Sequence, residues 1–122
     1  MYKFKVMRHI RTPLIVMLMS FIMTLPVNAL DVVMGSKGSL TFIPSDIIIN
    51  AGDTVRFINK SLPPHNIIVE AHPELSRESL MFNPGESQEV VFPVAGDYKF
   101  FCGPHKNSGM VGNVHVNQKG DY

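Results

Sequence analysis

Residues 96–116 read GDYKFFCGPHKNSGMVGNVHV, two alternating strands on either side of a loop that carries the chain's single cysteine. Side chains alternate faces along a strand, so in DYKFFC Tyr98, Phe100 and Cys102 share one face. Two aromatic residues mark that face as the core side, and the Cys102 thiol therefore points inward at the strand's end. In VGNVHV (111–116), Val114 and Val116 take the inward face and His115 the outward one. Between the two strands, Gly103, Pro104 and Gly109 permit tight turning. His105 and Met110 can thus return to the thiol from one contiguous segment.

The same punctuated alternation runs back through the chain. DVVMG (31–35), SLTFI (39–43), DIIIN (46–50), TVRFI (54–58), HNIIV (65–69) and SQEVVF (87–92) read as strands, separated by turn signals such as AGD (51–53) and NPGE (83–86). Seven to eight short strands in under a hundred residues predict an all-β fold, an antiparallel Greek-key sandwich. The segment EAHPELSRESL (70–80) is polar, contains Pro73, and is expected to be irregular or to hold a short helix.

In HNIIV, His65, Ile67 and Val69 share a face. If that face is also inward, two strand ends bring His65 and Cys102 together. His65, Cys102, His105 and Met110 then form a set of one thiolate, two imidazoles and one thioether. Trigonal His₂Cys with a long axial Met is the ligand set of electron-transfer copper sites. Zinc is the competing metal, but structural zinc sites prefer paired cysteines or Cys and His alone. Four protein ligands saturate the metal, which favours electron transfer over turnover, so no enzymatic activity is expected. His72, His115, Met34 and Met81 are expected to be surface or packing residues. His9 lies before this region.

The chain has 122 residues, with 11 basic and 10 acidic side chains. The charges are segregated. Lys3, Lys5, Arg8 and Arg11 sit in residues 1–29 without a single acid, and residues 30–122 are net acidic. LIVMLMSFIMTL (14–25) follows the basic stretch, and PVNA (26–29) fits a small-residue cleavage site. Together they predict a cleavable secretory signal over 1–29 and one exported domain over 30–122. A lone cysteine excludes an internal disulfide. No basic patch suggests nucleic acid.

The opening DVVMGSKGSLTFIPSDIIIN, the motif LPPHNIIV, the turn NPGES and the closing CGPHKNSGMVG together resemble the plastocyanins, within the cupredoxins, over residues 31–117. The resemblance implies a cupredoxin-like sandwich with one copper held by His65, Cys102, His105 and Met110. It implies that Asn66 ties the two ligand loops together. It implies an electron port at His105, ringed by Leu40, Leu62, Pro63, Pro64 and Pro104. The implied work is to carry electrons from cytochrome f to photosystem I in the thylakoid lumen, with a terminal oxidase as a further acceptor. The carrier would be a monomer that docks transiently and only peripherally at the membrane. The chain departs from the family in having Phe101 where a tyrosine is usual, Asn107 and Ser108 inside the ligand loop, and few clustered acids.

Two other readings of the same residues stand beside this one. One is a bacterial periplasmic cupredoxin that binds or stores copper or serves another redox partner. The other is a metal-free adhesion or interaction domain that uses the sandwich alone.

Overall fold

The computed structural model describes residues 28–120 continuously, and residues 2, 3, 5 and 20 besides. The expected signal over 1–29 lies almost entirely outside the described residues. Among those described, no helix is long and apolar enough to cross a membrane.

Nine strands are present among the described residues: β1 (Ala29–Met34), β2 (Phe42–Ile43), β3 (Asp46–Asn50), β4 (Thr54–Asn59), β5 (His65–Val69), β6 (Arg77–Met81), β7 (Ser87–Val91), β8 (Gly96–Phe101) and β9 (Val111–Asn117). They form a four-stranded sheet ordered β2-β1-β4-β7 and a five-stranded sheet ordered β3-β9-β8-β5-β6. The sandwich is as expected, with more strands than the seven to eight predicted because the edge strand β6 adds one, and the strands DIIIN and HNIIV fall where the alternation put them.

Three expectations are corrected. First, both sheets are mixed, because β1 pairs with β4 and β3 with β9 in parallel. After β2 the chain bends at Pro44-Ser45 and enters the opposite sheet as β3. Proline has no N–H for a ladder, so the break falls there. The next reversal returns β4 alongside β1 in the same direction. Second, residues 70–80 hold no helix, and the irregular alternative holds only for 70–76. They turn through 70–76 and then form the edge strand β6, in which only Met81 is buried. An edge strand with a wet outer face lacks the apolar alternation that would have revealed it. Third, SLTFI shrinks to Phe42–Ile43. The Ser39 hydroxyl reaches the Ser36 carbonyl (2.8 Å) and the Thr41 hydroxyl (2.8 Å), so the preceding residues are held in a turn.

The inward faces meet as the alternation requires. Val55 and Phe57 of β4 are fully buried, while Arg56 between them turns out to solvent and pairs with Asp31 of β1. Phe42, Phe57 and Phe100 stack edge to face, with centroids 4.8–6.0 Å apart, directly beneath the end of β8. Aromatic pairs in this geometry contribute about 0.5–1.5 kcal/mol beyond their buried area. Met34 and Met81 are buried packing residues, as expected. This layer lies beneath the pole of the sandwich at which β5 begins and β8 ends.

Candidate metal centre

His65 opens β5, and Cys102 follows directly on β8. β5 and β8 are antiparallel neighbours, with Ile68 opposite Phe101 and Val69 opposite Phe100. The loop from Gly103 to Ser108 is a 3₁₀ turn with Pro104 in its first turn. Its backbone closes back on itself: His105 N–H donates to the Cys102 carbonyl (3.1 Å), Met110 N–H to the His105 carbonyl (3.2 Å), and Cys102 N–H to the Met110 carbonyl (3.0 Å). Gly109 ends the turn at φ 84°, a left-handed conformation suited to glycine. The loop therefore returns Met110 to the backbone of Cys102, where it is fully buried.

The Cys102 sulfur sits 3.7 Å from His65 Nδ1 and 3.3 Å from His105 Nδ1. The donor atoms of the three residues all lie within 4.8 Å of one another. Both imidazoles thus present the same nitrogen to one thiol. His65 and Cys102 are wholly buried, whereas His105 is only partly so. Burial pushes the Cys102 thiol above its ordinary value, against the pull of the Asn66 and His105 backbone amides. Burial also lowers His65, helped by the nearby His105 ring. A buried thiol and two imidazoles in weak mutual contact lack a strong partner, and a soft cation supplies one. The donor set fits copper.

Asn66 is buried and bridges the two ligand segments. Its Oδ1 accepts the Gly103 N–H at 2.6 Å, and its Nδ2 donates to the Glu78 carbonyl at 3.0 Å. Residues of this kind hold ligands in orientation.

Two neighbours of the site were not visible in the sequence. A Cβ placed on Gly35 would lie 2.2 Å from Ser61 Oγ and 2.6 Å from His65 Nε2. Both of those atoms are buried, and neither has a hydrogen-bond partner. The only sequence signal was a glycine closing β1 opposite a serine just before the PPH motif.

Leu62 is 67% exposed, and Pro63 and Pro104 are exposed as well. These three flank His65 and His105 in sequence, while Leu40 and Pro64 are partly buried. Phe101 is half-buried, with Lys106 Nζ 4.1 Å from its ring centroid. His115 and His72 stay clear of the cluster. His115 pairs with Asp97, and His72 with Glu74 at 2.9 Å.

A β-sandwich that closes one buried cysteine between two imidazole Nδ1 atoms defines a protein built for a single soft metal ion. The family model described as copper binding proteins, plastocyanin/azurin family, matches residues 29–117, and the chain belongs to that family. It is 38% identical over 93 residues to the plastocyanin of Sambucus nigra, covering 68% of this chain and 94% of the relative. It is 37% identical over 100 residues to the chloroplastic plastocyanin of Pisum sativum, covering 73% of this chain and 60% of that relative. Among solved structures it resembles a mutant fern plastocyanin (TM-score 0.65, 28% identity, 71% of this chain and 99% of that one). It also resembles amicyanin from Paracoccus versutus (TM-score 0.60, 26% identity, 76% and 85%). The chain is a plastocyanin-like, copper-binding electron carrier.

Proposed function

We propose that His65, Cys102, His105 and Met110 hold one copper ion, and that the chain carries single electrons from cytochrome f to photosystem I on the lumenal side of the thylakoid membrane. The observation that carries this reading is the Cys102 sulfur facing both His65 Nδ1 and His105 Nδ1 at a buried point. When bound, the copper supplies a one-electron couple. The chain's residues do the rest. The sandwich holds the donors in place, so little rearrangement accompanies a change of charge. Cys102, His65 and Met110 exclude water from the centre. His105 is the donor residue that is not fully buried, so electrons leave and enter through its ring, with Leu62, Pro63, Pro64, Pro104 and Leu40 forming a small apolar rim. A small rim suits short-lived docking. The protein acts as a carrier and not as an enzyme, because the four donors leave no place for a substrate.

The loops at this pole also carry Lys37, Lys60 and Lys106, all exposed, against the single acid Glu86. Electron exchange with an acidic partner therefore slows as salt rises.

A second reading is a periplasmic carrier serving another partner, or a copper store; the chain's likeness extends to a bacterial amicyanin as well as to plastocyanins. Flash oxidation by photosystem I and stopped-flow reduction by soluble cytochrome f separate the readings. A lumenal carrier exchanges rapidly with both. A copper-loaded chain that exchanges with neither belongs to the second reading.

A further inference from the structure

Three buried side-chain atoms among the described residues lack a hydrogen-bond partner: Asn59 Oδ1, Ser61 Oγ and His65 Nε2. All three fall within seven residues of chain, at and before one ligand. A buried polar group without a partner is costly, so such a cluster needs a reason. The Gly35 geometry supplies one for two of them. The Cβ that Gly35 lacks would sit 2.2 Å from Ser61 Oγ and 2.6 Å from His65 Nε2. The two atoms therefore lie no further apart than the sum of those distances, 4.8 Å, across a gap that no side chain fills. Rotation of the serine about its Cα–Cβ bond between staggered wells can bring the oxygen within reach.

The chemistry of the pair is complementary. His65 turns Nδ1 towards Cys102. A neutral ring that keeps Nδ1 free as a donor to a metal must carry its proton on Nε2, and that N–H needs an acceptor. Ser61 Oγ is an unused acceptor within 4.8 Å of it. We propose that Ser61 is a positioning residue for His65: its hydroxyl accepts the Nε2–H, fixing the tautomer and the plane of the ring. Gly35 is the residue that makes room for this contact. The inference rests on the copper reading only for its consequence, a ring held ready as a ligand. The contact itself belongs to the polypeptide.

The test is nitrogen-15 NMR of the His65 ring, in the metal-free protein and in the diamagnetic Cu(I) form. The expected result is an Nε2–H resonance with close contacts to the Ser61 side chain. Ser61→Ala should speed its exchange with water about fivefold, and Ser61→Thr should restore it. In the copper-loaded protein, Ser61→Ala should also move the reduction potential, a change that a purely structural role for Ser61 would not bring. An Nε2–H coupled instead to a backbone carbonyl, or unaffected by Ser61→Ala, overturns the proposal. If Ser61→Ala fails to fold, the contacts seen in the wild-type spectrum decide alone. Failure of the chain to bind copper is read separately by titration, and leaves the metal-free measurement in force.

Discussion

The amide of Gly103 donates to Oδ1 of Asn66 at 2.6 Å, joining residues 37 positions apart. One end of that bond adjoins His65 and the other adjoins Cys102, so a single side chain sets the spacing of two donors. Its Nδ2 reaches Glu78 on β6 as well, which ties the site to the edge of the sheet.

Asn66→Ala removes both bonds and leaves the Gly103 N–H and the Glu78 carbonyl without this partner. The expected loss is about 1–3 kcal/mol of stability, measured by denaturant unfolding of the metal-free protein. The copper-loaded variant should also show a shifted visible spectrum. Unchanged stability together with an unchanged spectrum would remove Asn66 from the site.

Gly112 is buried against the aromatic layer. A Cβ there would lie 2.3 Å from Phe100 Cζ and 2.6 Å from the Ser45 carbonyl oxygen. The carbonyl is backbone and accepts the Asn113 N–H at 2.8 Å, so it cannot easily give way. Gly112→Ala should therefore cost about 1–3 kcal/mol by overpacking. Thermal unfolding checks this. The aromatic stack under Cys102 would be displaced at the same time, so copper affinity should fall with stability.

Two histidines give the metal-free protein opposite pH limbs. Asp97 hydrogen-bonds His115 and raises it above its ordinary 6.5, aided by Asn117. That stabilisation is complete below about pH 6.5 and is lost as pH rises through the raised value. Burial lowers His65, so its contribution is complete above about pH 6.5 and falls away in acid as the unfolded chain takes up the proton. Urea midpoints should peak near the middle of this range. His115→Gln should flatten only the alkaline limb, and a variant that flattens the acid limb instead would reverse the assignment.

The parts of this protein that were legible in the sequence are those where burial imposes a period. Cys102 and His65 were placed inward by the faces of DYKFFC and HNIIV, and both are wholly buried. His115 was placed outward by the same rule and is exposed. β6 was not legible, because RESLM buries Met81 alone and shows no alternation. The parallel pairs were not legible either. Strand faces say which residues are buried, and not which strand lies beside which. Asn66 entered only through a family resemblance, since a polar residue next to a ligand carries no periodic signal. Gly35 and Ser61 remained hidden because their role is a gap in space, set by a turn at the end of β1 and a loop before β5.

The most direct test of the central claim is a copper titration of the metal-free protein, followed by absorption spectroscopy of the oxidised form. One ion per chain should bind, with an intense visible band from Cys102 to copper. Cys102→Ser should abolish the band, and Met110→Leu should keep it while moving the potential. Failure to take up copper, or a spectrum indifferent to Cys102→Ser, would contradict the claim.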